Sequence, residues 1–246
     1  MSLCFVAASS QYVDCGDINA LDGVQNFTIC AWIMRQTGSK EVLIYKGISG
    51  TQEIYIYLRN NGRTLMTVKN GGSNYLDSNS TAANDSSWHH FALVFDGTQG
   101  VSANRIKMYI DGSIVTGTPV GTFPTSTHSN AGSFSLGQRI HTGTYSDGDI
   151  GECRIYTNSL SADQVKSDYY GYFSDLDLIG YWPLGVATTE PDWSGNGNVG
   201  TRINSPTVSD NPPVGSPYMF TGGDPYEVIS SSGLPVGTLN LMGVGV

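Results

Sequence analysis

Few residues of this chain carry the types and spacing that covalent chemistry needs. Cleavage of a glycosidic bond with retention needs a nucleophile and a proton donor about 5 Å apart, both carboxylates. The chain has five glutamates, Glu41, Glu53, Glu152, Glu190 and Glu227. No two of them fall in one alternating stretch, so none can present such a pair on one strand face. His89 and His90 are adjacent. Neighbours on a strand point to opposite faces, so one of them is expected buried beside Trp88 and the other exposed. His128 and His141 sit in turn-rich stretches with no nucleophile motif near them. GxSxG, phosphate-loop and HExxH motifs are absent. The expectation is a protein without enzymatic activity and without a required cofactor.

Two binding chemistries remain. Calcium takes six to eight oxygens, commonly from loop carboxylates and carbonyls. The aspartates of Asp14-Cys-Gly-Asp17 to Asp22-Gly23 and of Asp147-Gly-Asp149 offer such oxygens. Asp17, Asp22 and Asp149 are the candidate ligands, against the plainer reading of solvated turn aspartates. Sugar rings stack on exposed aromatic side chains that keep a polar tip free. Tyr55, Tyr57, Tyr75 and Tyr145 are the candidates, with Tyr109 also available. Tyr55 and Tyr57 share one strand face, while Ile54, Ile56 and Leu58 face the other way toward a core. Packing within the core or between subunits is the rival role for these tyrosines. Trp32, Trp88, Trp182 and Trp193 read as core anchors.

Composition narrows the class. Of 246 residues only 13% are charged, 31 are glycine, and the net charge is -9. Twelve basic against 21 acidic residues leave no positive field for nucleic acid. No stretch of 18 consecutive apolar residues exists, so no membrane-spanning helix is expected. The opening Met-Ser-Leu-Cys-Phe-Val-Ala-Ala has neither a basic n-region nor a full apolar h-region, so no secretory signal is expected. Cys4, Cys15, Cys30 and Cys153 form no CxxC or zinc spacing and are expected as reduced, packed thiols.

Period-two alternation recurs along the chain: Phe27–Arg35, Glu53–Arg59, Trp88–Asp96, Arg105–Asp111 and Asp149–Asn158. Asn61-Gly62, Gly71-Gly72, Asp96-Gly97, Asp111-Gly112 and Asp147-Gly148 supply turn residues between them. The pattern predicts an all-β fold, a two-sheet antiparallel β-sandwich or jelly roll. Its expected core includes Phe27, Ile29, Trp88, Leu93, Ile106, Met108, Ile110 and Ile155. Ser161-Ala-Asp-Gln164 is a capping box that predicts one short helix, expected to cross one end of the sandwich.

After this helix the composition changes. Leu178–Leu184 reads as a strand and Pro191–Gly200 as a glycine-rich turn segment. Residues 1–209 are read as the domain and 210–246 as an extended C-terminal arm, rich in proline and glycine. Met219, Phe220, Leu239, Leu241 and Met242 are too apolar for a solvated tail and are expected to make assembly contacts.

The motifs together resemble a known family. Trp88-His-His-Phe-Ala-Leu-Val-Phe-Asp-Gly97 followed by Lys107-Met-Tyr-Ile-Asp-Gly112 looks like the central hairpin of laminin-G-like domains. Gly151-Glu-Cys-Arg-Ile-Tyr156 and Leu160-Ser-Ala-Asp163 look like their closing strand and short helix, and Phe5–Val13 and Phe27–Trp32 like their opening strands. The resemblance spans about residues 3–172 and implies the concanavalin A-like lectin/glucanase jelly roll. It also implies neighbouring opening and closing strands, which would bring the two aspartate loops together. Leu178-Ile-Gly-Tyr-Trp-Pro-Leu184 and Ser194–Thr201 resemble a lead-in segment, expected to add edge strands to this sandwich or to a neighbouring subunit.

Resemblance, missing catalytic pair and apolar arm lead to a functional expectation. It is a virion structural protein, a capsid decoration or cement protein of a bacterial virus at the virion surface. Its partners would be other copies of itself and a capsid shell protein. The alternative is a carbohydrate-binding adhesin or lectin module, free or on a tail fibre, with glycans as partners.

Overall fold

The computed structural model describes residues 1–36, 42–59, 61–81, 83–186, 188–213 and 218–220. For Val42 and for 218–220 only the backbone is described. Two antiparallel sheets face each other, as the alternation predicts. The first has eight strands, in the order Ser113–Val115, Ile106–Ile110, Trp88–Asp96, Asn26–Arg35, Gly148–Tyr156, Ser2–Phe5 and Thr207–Ser209, with Leu178–Trp182 also paired to Gly148–Tyr156. The second has nine: Thr118–Val120, Tyr75–Asp77, Thr64–Val68, Gln52–Leu58, Val42–Ser49, Phe134–Leu136, Tyr12–Asp14, Gly200–Ile203 and Thr189–Glu190. Strands from residues 178 to 209 therefore extend both sheets of the same sandwich. The short strand Tyr218–Phe220 runs parallel to Tyr172–Ser174. No helix among the described residues is long and apolar enough to cross a membrane.

The core lies between the sheets. Phe27, Ile29, Leu93, Phe95, Ile106, Met108, Ile150 and Ile155 from the first sheet meet Ile44, Ile54, Ile56, Met66 and Leu136 from the second. Removing each such side chain from water stabilises the fold by about 1.5–3 kcal/mol. Trp88 departs from the expected core. It shares strand parity with His90, Ala92 and Val94, which face away from the sandwich interior, and it is half-buried.

That outer face has a core of its own. Cys30, Ala92, Val94, Tyr109 and Tyr156 are covered by Val165 of the helix and by Phe173, Leu178 and Tyr181. The helix Ala162–Tyr169 starts at the predicted capping box: Ser161 Oγ accepts from Gln164 N–H and Gln164 Oε1 accepts from Ser161 N–H. It does not cross an end of the sandwich. Its buried face, Val165 and Asp168, lies on the outside of the eight-stranded sheet, where Tyr169 stacks on Trp32 with centroids 5.5 Å apart.

A bulge shapes the closing strand. Pairing with Asn26–Arg35 shifts between Gly151 and Arg154, and Glu152 adopts φ +52°. The extra residue keeps Ile150 and Cys153 both facing the sandwich core. It also places Glu152 in mid-strand, buried at 3% exposure, and not at a strand end.

Candidate functional site

The outer face of the nine-stranded sheet carries the candidate site. On Gln52–Leu58 the residues Ile54, Ile56 and Leu58 enter the core, so Glu53, Tyr55 and Tyr57 face out. Tyr45 is the register partner of Tyr55, and Leu65 that of Tyr57. Tyr45, Tyr55 and Leu65 form one apolar cluster, with the half-buried Tyr57 and Tyr75 packed against it. The Tyr55 and Tyr57 rings meet edge to face at 6.2 Å.

Tyr55 is not the exposed platform that its strand parity suggests, since it retains only 5% exposure. The segment Gln138–Tyr145 folds over it. Arg139 Cζ lies 5.3 Å from the Tyr55 ring centroid and Lys69 Nζ lies 5.5 Å from it. A ring with cations near its face gains from its quadrupole as well as from burial. Tyr45 Oη and His141 Nδ1 are 3.0 Å apart. Tyr57 and Tyr75 thus remain as the accessible part of the group.

Glu53 anchors the arrangement. Its fully buried carboxylate accepts from Lys69 Nζ at 2.6 Å, and from Arg139 Nη2 and Nε at 2.7 and 3.1 Å. A buried carboxylate requires such pairing. Burial, followed by the charge of Glu53, pushes the Tyr55 hydroxyl up to about 12. Burial and then Arg139 hold the His141 imidazole below its ordinary range. At neutral pH the site therefore presents neutral phenols and a neutral imidazole around a paired ion cluster. It offers rings to stack on and polar tips to donate or accept.

Other candidates lie elsewhere. Tyr145 packs against Tyr12 at 6.2 Å, and Tyr109 is buried on the outside of the opposite sheet. Trp182 is fully buried and stacks on Phe134, as an anchor should, but Trp193 is 49% exposed. The three aspartates do not converge. Asp17 and Asp22 both reach Lys46 Nζ, at 2.5 and 3.4 Å. Asp149 is buried in the other sheet, with Cys4 and Met34 as its register partners. The opening strand Ser2–Phe5 does neighbour the closing strand. The loop carrying Asp17 follows Tyr12–Asp14, however, which belongs to the nine-stranded sheet. Met219 and Phe220 lie in the strand beside Tyr172–Ser174. Leu239, Leu241 and Met242 fall outside the described residues.

His90 is buried, as expected for one of the pair, and the Trp32 and Tyr169 rings pack against it. Its Nε2 is 2.9 Å from Asp168 Oδ1. Asp168 also accepts from Arg154 Nε and Nη2, each at 3.0 Å, and from Tyr156 Oη at 2.5 Å. Burial opposes ionisation of Asp168, yet Arg154 and His90 outweigh it and hold the carboxyl well below the usual range. Cys30, His90 and Asp168 approach each other closely enough to resemble a metal triad. The Arg154 guanidinium already occupies the Asp168 carboxylate, so the group works as a structural ion network. His89 faces out and joins Asp85 and Asp111.

The remaining described glutamates are likewise engaged. Glu152 accepts from Tyr181 Oη at 2.7 Å and from Arg154 Nη1 at 3.2 Å. Glu190 pairs with Arg202. Each sits on a different strand with its own cation.

Comparison with known proteins agrees with this architecture. The family model described as concanavalin A-like lectin/glucanases superfamily, of laminin-G type, matches residues 7–166. A putative carbohydrate binding protein from Bacteroides ovatus superposes with a TM-score of 0.57 at 15% identity, covering 84% of this chain and 61% of that one. The enzymatically active domain of tailspike protein 2 from bacteriophage CBA120 gives 0.54 at 15% identity, covering 76% and 30%. The heptameric SAP-like pentraxin of Limulus polyphemus gives 0.51 at 17% identity, covering 69% and 82%. Such low identities establish a shared fold and no more. No curated protein matches the sequence. With the family model matching residues 7–166, more than half of this chain, and both sheets of the jelly roll in place, the chain belongs to the concanavalin A-like lectin/glucanases superfamily.

Proposed function

We propose that the chain is a non-catalytic carbohydrate-binding module that holds a glycan against Tyr57 and Tyr75 on the outer face of the nine-stranded sheet. The observation that carries this reading is the tyrosine group itself. Tyr45 and Tyr55 are held beneath by Glu53, Lys69, Arg139 and His141, which leaves Tyr57 and Tyr75 on a floor tied down by hydrogen bonds and ion pairs. Preorganised aromatic rings bind sugar faces at low entropic cost. The similarity to a putative carbohydrate binding protein supports the same reading. Against catalysis stands the pairing of Glu53, Glu152 and Glu190 with separate cations, which leaves no couple of glutamates on an open face among the described residues.

The virion-shell role expected from the sequence has less support. The residues chosen for it lie largely outside the described part of the chain, and the similarity to a tailspike domain concerns the fold alone.

Passage over immobilised oligosaccharides, followed by mass analysis of the eluted sugars, tests the proposal. Retention with unchanged sugars is expected. Free passage over every column, or shortened products, would overturn it.

A further inference from the structure

Lys46 follows Tyr45 in the strand and points the opposite way, into one end of the sandwich. Its side chain is 1% exposed. The ammonium is surrounded by oxygen: Asp17 Oδ1 at 2.5 Å, Gly132 O at 2.9 Å, Asn130 O at 3.4 Å and Asp22 Oδ1 at 3.4 Å. These oxygens come from two separate loops, one after Tyr12–Asp14 and one before Phe134–Leu136. The second loop approaches so closely that a Cβ at Gly132 would meet the Gly47 backbone at 2.5 Å.

Carboxylates plus backbone carbonyls converging from loops are the donor set of a hard divalent cation. Here two negative charges surround one positive charge. Asp22 Oδ1 is also buried without a hydrogen-bond partner. The oxygens therefore exceed what one ammonium satisfies. A buried cation needs no loss of translational freedom when the chain itself supplies it. A divalent ion could enter only by expelling an amine whose partners among the described residues are these oxygens.

We infer that Lys46 is the resident cation of an oxygen cage of divalent type, so that the native domain locks these two loops without metal and an amine-free variant acquires a calcium site. The cage closes with the chain's own side chain, and loop order follows from folding alone. This inference is independent of the glycan reading.

The test is thermal melting of the full chain and of Lys46→Met, each in chelator and in millimolar calcium chloride. The native protein should melt at the same temperature in both. Lys46→Met should melt lower in chelator and rise by roughly 5 °C in calcium, as a ligand specific to the folded state requires. Asp17→Asn in the Lys46→Met background should abolish that rise. Three results would overturn the inference. One is a native protein stabilised by calcium in a manner lost with Asp17→Asn. Another is Lys46→Met indifferent to calcium, and the third is Lys46→Met that stays unfolded in calcium. Calorimetric titration of native protein with calcium gives a second reading: heat of binding that Asp17→Asn removes contradicts it, and its absence agrees.

Discussion

Arg139 and Glu53, 86 residues apart in sequence, close on each other through Nη2 and Nε at 2.7 and 3.1 Å. The pair fastens a loop over the outer face of the nine-stranded sheet and decides which tyrosines solvent reaches. Lys69 supplies the second cation, so the carboxylate is neutralised inside the protein. The ring of Tyr55 beside these two cations is then floor, and Tyr57 and Tyr75 are surface.

The ion network on the opposite sheet makes stability depend on acid. Asp168 is held below the ordinary carboxylate range in the folded state. A lowered folded value adds stability above the unfolded value of about 3.9 and loses it as pH falls toward the folded value. Unfolding in denaturant should therefore become easier as pH drops below about 4. Asp168→Asn leaves the buried Arg154 with Glu152 as its one remaining carboxylate and takes the charged acceptor from His90, and should cost about 3–5 kcal/mol at neutral pH. It should also flatten the acid limb by about one proton. An unchanged acid limb would contradict this.

The histidines should separate in an NMR titration. The hydrogen bond to Asp111 raises His89, burial opposes it, and Asp85 adds to the rise. Burial and Arg139 lower His141. His89 should titrate above about 6.5 and His141 below it. The His89 contribution to stability is present below about 6.5 and is lost as pH rises through its folded value, so His89→Gln should remove that slope. The opposite order of titration would contradict the assigned surroundings.

Thiol reactivity should be graded. Cys15, Cys30 and Cys153 are buried and Cys4 is partly exposed. Burial raises all four thiols, and Asp149 adds to the rise at Cys4. An aromatic disulfide reagent should modify Cys4 slowly in the native protein and all four after denaturation. Rapid native labelling of two or more thiols would count against the packing described.

The sequence made the sandwich readable because Gln52–Leu58 and Asn26–Arg35 alternate and Ser161–Gln164 caps a helix. These signals lie within a few residues of each other. The ion pairs that make the site do not. Glu53 finds Arg139 only when the fold folds a distant loop over it, and His90 finds Asp168 78 residues away. Alternation alone placed Tyr55 on the right face, but burial beneath a loop is a tertiary fact. Lys46 shows the same limit, since its aspartates read equally well as metal ligands. Trp88 misled because both faces of the first sheet are apolar, one meeting the sandwich core and the other a helix.

The most direct measurement is a glycan microarray probed with the native domain and with a Tyr57→Ala/Tyr75→Ala double variant, each first checked by thermal melting. Both tyrosines are half-buried at the surface, so the variant should remain folded. Stacking on two rings supplies about 1–3 kcal/mol, so the variant should bind about 5- to 150-fold more weakly. Selective binding by the native domain that the folded variant loses is the predicted result. No binding by the native domain, or equal binding by both proteins, would contradict the account.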